Sequence, residues 1–114
     1  MAEPYILPEH DITLQQIHAF LVIAKCHSLS KAAGEMFISQ PALSKTLKRF
    51  EEGIGLPLFV RSNQGVTLTE AGKALYLAFR SIYENLERTI TWVKTAMSTQ
   101  RILHMAVPLN YDFS

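Results

Sequence analysis

Ser39-Gln40-Pro41-Ala42-Leu43-Ser44-Lys45 sets a proline beside alanine and leucine in a run that otherwise reads as helix. A proline inside a helix removes a backbone donor and clashes with the preceding turn, at about 3 kcal/mol, so it belongs in the first turn. The chain is thereby held to start a helix here, with Ser39 as N-cap and Pro41 as the second helical residue. At 100° per residue, Leu43, Leu47 and Phe50 share one core-facing sector; Pro41, Ser44, Lys45 and Lys48 lie opposite, and Gln40 falls between. One face packs and the other is left to bind. The helix is expected over residues 40–52, closed by Gly53 and Gly55.

Two helices are expected before it. Thr13-Leu14-Gln15-Gln16 has the form of a capping box, and Leu14, Ile17, Leu21 and Ala24 follow at helical spacing with Phe20 beside them. The pattern lapses at His27-Ser28, after which Ser30 can cap a short helix with Ala32, Ala33, Met36 and Phe37 as its buried stripe. Beyond the proline-started helix, Leu58-Phe59-Val60 and Val66-Thr67-Leu68 are short β-prone runs around the turn-rich residues 61–65, the pattern of a hairpin. Thr69 then caps a long helix over residues 70–97. The predicted fold is mainly α: a winged helix-turn-helix of three helices and a hairpin over residues 13–69, followed by a linker helix over residues 70–98. Residues 1–12 form an extension.

The long helix exceeds what a compact three-helix core can use. Leu75, Phe79, Ile82, Leu86, Ile90, Val93 and Met97 recur at a mean spacing of about 3.7, which keeps one apolar stripe on one side. The stripe is expected to form a helix-to-helix dimer; the plainer reading is that it packs on its own domain or on a further one, with Trp92 among its contacts. After Thr99, Arg101-Ile102-Leu103-His104-Met105-Ala106-Val107-Pro108 reads as a strand, so residues 99–114 are expected to open a second domain.

Charge says little in total and more in distribution. The net charge is +1. Residues 1–24 balance to −3, residues 25–61 to +3 and the remainder to +1, so the positive balance centres on the proline-started helix. Cys26 is the one cysteine, which excludes a disulfide framework and suits a reducing compartment. The N-terminus lacks a secretory pattern, and the densest apolar run, residues 19–24, is far too short to span a bilayer, so a cytoplasmic protein without membrane contact is expected.

Taken in this order, residues 13–98 resemble the N-terminal region of LysR-type transcriptional regulators. The resemblance rests on Phe20, Ser28-Leu29-Ser30-Lys31-Ala32-Ala33, the seven residues from Ser39 to Lys45, Glu51, Gly55, Leu58-Phe59, Arg61, and Gly65-Val66-Thr67-Leu68-Thr69-Glu70-Ala71-Gly72. It implies a homodimer on double-stranded DNA, tetrameric in the full-length chain, with the third helix in the major groove and the wing near the minor groove. It also implies a small-molecule effector that acts only through a C-terminal domain. By matching positions, Gln40, Pro41, Ala42, Ser44 and Lys45 would contact bases, and Ser30, Lys31, Ser39, Lys48, Arg61 and Gln64 the backbone. The side chains suit those roles: Gln40 can pair with adenine, Ser44 with either kind of base edge, Pro41 or Ala42 with a thymine methyl, and Lys45 with guanine or phosphate. The family often carries arginine where this chain has Lys45 and a base where it has Gln64; lysine lacks the planar fork.

Other functions find no footing in the residues. There is no Gly-rich phosphate loop, nucleophile elbow or HExxH, and Glu51-Glu52 point about 100° apart, so no enzyme is expected. His10, His18, His27, His104 and Cys26 lack metal-ligand spacing, so neither a metal nor any other cofactor is expected. Cys26 reads as an inert thiol and His18 as a half-buried packing residue. The standing alternative is a winged helix used for protein–protein contact.

Overall fold

Each of the four helices starts on a hydroxyl cap in the computed structural model, which describes residues 11–103. Helix α1 (Leu14–Cys26) carries the capping box in full: Thr13 Oγ1 accepts from the Gln16 amide at 3.0 Å, and the Thr13 amide donates to Gln16 Oε1 at 3.0 Å. Helix α2 (Leu29–Met36) is capped by Ser28, whose Oγ accepts from the Lys31 amide at 3.1 Å. Ser30 therefore lies inside the first turn and is not the cap. The reason is Leu29, which is buried and is the true first member of the stripe.

Helix α3 (Gln40–Ile54) starts on Ser39, whose Oγ accepts from the Ala42 amide at 3.2 Å, with Pro41 in the first turn. It runs two residues further than the sequence suggested. Gly53 is buried within it, and closure falls to Gly55 alone, in the left-handed region at φ 90°. Strands β1 (Phe59–Ser62) and β2 (Gly65–Leu68) pair antiparallel, with Phe59 opposite Leu68 and Arg61 opposite Val66. Helix α4 (Glu70–Leu103) begins on Thr69, whose Oγ1 accepts from the Gly72 amide at 3.0 Å and donates to the Pro57 carbonyl at 2.8 Å.

Helices α1, α2 and α3 pack on one another around Ala19, Ile23, Leu29, Ala32, Ala33, Leu43 and Leu47, and Val66 of the wing joins this core. The alanines are what let the backbones of α1 and α2 approach. A second cluster is aromatic. Phe20 is fully buried, with ring centroids 5.4 Å from Phe50, 5.5 Å from Phe59, 6.5 Å from Tyr76 and 6.3 Å from Phe79, all within the range of favourable tilted and edge contacts.

Three sequence expectations change here. Phe37 is not in the core: it closes α2 in the left-handed region at φ 58° and is 93% exposed. The Ile38 amide reaches back to the Ala33 carbonyl at 3.1 Å in a Schellman-type closure, which turns the chain away before residue 37 can face inward. Phe79 does not stand wholly on a free stripe, because its ring also lies 5.9 Å from that of Phe50, inside the winged domain's own cluster. The chain divides into two compact units, one ending at Arg80 and one starting at Ser81.

The last change concerns residues 101–103, read as the start of a strand and found helical. No proline or glycine occurs between Gly72 and Pro108 to stop α4, and the described residues offer a strand there no partner. The rest of that run, like most of the N-terminal extension, lies outside the described residues. Among the described residues, no helix is long and apolar enough to cross a membrane.

Candidate nucleic-acid interface

The front of α3 is built by its own amphipathy. Leu43, Leu47 and Phe50 are buried, and with that side fixed, Gln40, Pro41, Ala42, Lys45 and Lys48 are exposed and Ser44 is half-buried. Ser39 is exposed, with its hydroxyl occupied as the cap. A helix start leaves backbone amides without helical partners, so this end carries a positive partial charge beside Lys45. Neither Lys45, Lys48 nor Arg61 forms an ion pair with a described carboxylate; an ion pair on α4 joins Lys73 to Glu70 at 3.4 Å.

The wing supplies the second part of the surface. Side chains alternate along a strand, so Phe59 and Arg61 share a face. Phe59 turns its ring to Phe20, which aims Arg61 at α3, where its Nη2 donates to Ser44 Oγ at 3.1 Å. Arg61 thus stands in the strand and not in the turn where the sequence put it. The turn itself is tight, with the Gln64 amide donating to Ser62 Oγ at 3.2 Å and Gln64 exposed. Ser30 and Lys31 are exposed on the first turn of α2.

Two anchors hold the wing to the helices, and each joins residues too far apart in the chain for local spacing to predict. Glu51 of α3 accepts through Oε2 from the Leu58 amide at 2.6 Å and the Phe59 amide at 3.1 Å, which fixes the entry to β1. At the other end of the hairpin, His27 closes α1 in the left-handed region and its carbonyl accepts from the Val66 amide at 3.1 Å. Gly65 is what allows that approach: it sits at φ 117°, and a Cβ there would collide with the His27 carbonyl oxygen. Ser28, beside His27, is the α2 cap in place of Ser30, a choice settled by the burial of Leu29 and not by spacing.

Cys26 is half-buried at the end of α1. Burial and the hydrogen-bonded Glu35 carboxylate push its thiol above the ordinary value, against the pull of Lys31 and Lys25. Among the described residues, no three His, Cys, Asp or Glu side chains gather as a metal site.

The sequence pattern described as "Bacterial regulatory helix-turn-helix protein, lysR family" matches residues 14–73, more than half of the chain. The chain belongs to this LysR family. It is 46% identical over 63 residues to the HTH-type transcriptional regulator BudR of Klebsiella aerogenes, covering 55% of this chain and 44% of that protein. It is 34% identical over 102 residues to the HTH-type transcriptional regulator IlvY of Escherichia coli, covering 87% and 34%. With the RuBisCO operon transcriptional regulator of Allochromatium vinosum it shares 39% identity over 75 residues, covering 66% and 25%. The chain thus spans between a quarter and a half of the length of these curated relatives.

Solved DNA-binding domains share the fold found here. The structure described as the BenM_DBD/catB site 1 DNA complex matches with a TM-score of 0.73 at 26% identity, covering 76% of this chain and 98% of that one. The CbnR_DBD-DNA complex matches with a TM-score of 0.70 at 28% identity, covering 75% and 99%. A winged helix-turn-helix followed by a long helix is the architecture of this LysR chain.

Proposed function

We propose that this chain is the DNA-binding part of a LysR-type transcriptional regulator, acting as a dimer on an inverted-repeat operator in the cytoplasm, and that it is a binding module and no enzyme. The observation that carries the reading is the front of α3, capped by Ser39, apolar on its back and continuous through Ser44 with Arg61 of the wing. Its support from relatives is that the BenM and CbnR domains of the same fold were solved on DNA.

In this reading α3 enters the major groove. Gln40 hydrogen-bonds an adenine edge, Pro41 and Ala42 pack on thymine methyls, and Ser44 and Lys45 reach base acceptors. Ser30, Lys31, Ser39, Lys48 and Gln64, with the remaining donors of Arg61, hold the phosphates. Leu75, Ile82, Leu86, Ile90, Val93 and Met97 make the dimer contact, with Phe79 split between that contact and its own core. Two α3 helices related by a two-fold axis then read half-sites one helical turn, or a multiple of it, apart. Binding requires no metal or cofactor. Effector control and a tetramer, in this reading, belong to regions beyond residues 14–97, the residues that make the DNA and dimer contacts.

The test is selection from a randomised duplex pool at two salt concentrations, with the native chain, Gln40→Ala and Lys48→Ala. A palindromic motif is expected. Gln40→Ala should erase preference at one position of each half-site, whereas Lys48→Ala should weaken all sequences alike and lower the salt slope by about 0.9. No duplex bound above background at low salt would move the function to protein–protein contact.

A further inference from the structure

We infer that Arg61 is a positioning residue for sequence reading, which takes one lone pair of Ser44 and turns the serine proton outward as a hydrogen-bond donor toward the base edge. This inference rests on the DNA-binding reading above. A serine hydroxyl has one proton to give and two lone pairs to accept with, so by itself it reads donors and acceptors alike. A guanidinium only donates. In the 3.1 Å contact between Arg61 Nη2 and Ser44 Oγ, the serine oxygen must therefore be the acceptor, and its own proton is directed elsewhere.

Where that proton goes in other helical hydroxyls is also visible. Thr46, two residues along α3, donates to the Ala42 carbonyl at 3.1 Å, Thr89 to Asn85 at 2.8 Å and Thr99 to Thr95 at 3.0 Å, each four residues back. A hydroxyl folded back in this way offers its proton to its own helix and not to a ligand. Ser44 is drawn out of that habit by the arginine from the wing. With one lone pair taken on the wing side, its proton is turned toward a purine N7, guanine O6 or thymine O4, and one lone pair fewer is left to accept from the amino groups of cytosine and adenine. Wing docking thus sets the base preference of α3, and it does so through a residue on another element, seventeen positions away in the chain.

The experiment uses the best duplex from the selection above, carrying single replacements of the half-site bases, including 7-deazapurines that lack the N7 acceptor. The native chain, Ser44→Ala, Arg61→Ala and the double variant are titrated, and circular dichroism verifies that the exposed Arg61 can be replaced without loss of fold. The native chain should favour the acceptor-bearing base at one position by about fivefold. Ser44→Ala should abolish that preference. Arg61→Ala should abolish it too, beyond any uniform loss of affinity, and should remove no further preference when Ser44 is already alanine. If Arg61→Ala keeps the full preference and lowers affinity equally for every duplex, Arg61 is a phosphate contact only and the inference falls. If the native chain binds no duplex, the functional reading fails first and takes the inference with it.

Discussion

The two units of this chain use the same apolar residue types to opposite ends. Among the described residues of the unit that ends at Arg80, thirteen apolar residues are buried and five aromatic rings close on one another around Phe20 and Phe50. In the unit that starts at Ser81, no described side chain is buried, and Ile82, Ile90 and Met97 stand 55%, 47% and 43% exposed on a helix that is amphipathic all the same. A helical stripe reveals that a face is apolar; it does not reveal what covers it. The first unit carries its cover within itself, whereas the described stripe of the second is open, which is why most of the proposed dimer contact is assigned to the second.

The sharpest way to break this contrast is to remove the centre of the first unit. Phe20→Ala should cost about 3 to 5 kcal/mol, read as a fall in the urea midpoint, whereas Ile90→Ala at low protein concentration should cost under about 0.5 kcal/mol. Equal costs would mean that both units have cores of their own. Next in size, Gly72→Ala places a Cβ against the Leu58 carbonyl and Leu68 Cδ2, and should destabilise by about 2 to 3 kcal/mol. Glu51→Gln replaces a charged acceptor for two amides by a neutral one and should lose about 1.5 kcal/mol by the same measurement, with the wing amides losing protection first.

Smaller effects sharpen the second half of the contrast. Ile90→Glu should leave the urea midpoint of dilute protein nearly unchanged and weaken self-association in sedimentation equilibrium; unchanged association would take the stripe out of the dimer. The smallest effect on stability should come from the thiol. Because burial and Glu35 raise the Cys26 value, less thiolate is present at neutral pH than for an ordinary thiol, so alkylation by iodoacetamide should be slow and should accelerate as the pH rises. Glu35→Gln should speed it, with little change in the urea midpoint.

Most of the architecture could be read from the chain because its boundaries are marked by side chains with local partners. Thr13 with Gln16, Ser39 before Pro41, and Thr69 each announce a helix within four residues, and the caps are where the sequence put them. The misreadings come where the decisive partner is not local. Ser28 and Ser30 are equally good caps until Leu29 is known to be buried. Phe37 continues a plausible stripe until the backbone closes one residue earlier. Phe79 has the spacing of the linker stripe but is claimed by Phe20 and Phe50, which lie far away in sequence. In the candidate interface, the exposed side of α3 followed from periodicity alone. The Arg61–Ser44 contact did not, since it depends on which face of β1 docks.

The His27 carbonyl beneath Val66 has a kinetic meaning as well as a structural one. A two-stranded hairpin is marginal by itself in water, and one of only four residues per strand would spend much of its time open. Here one end is tied to the close of α1 and the other to Glu51 of α3, so opening the wing means disturbing the helices on which it rests. The segment is thereby ordered before any encounter, and its conformational entropy is already lost when a partner arrives. Amide exchange at Val66 should accordingly track opening of the helical domain and not local fraying of a loop.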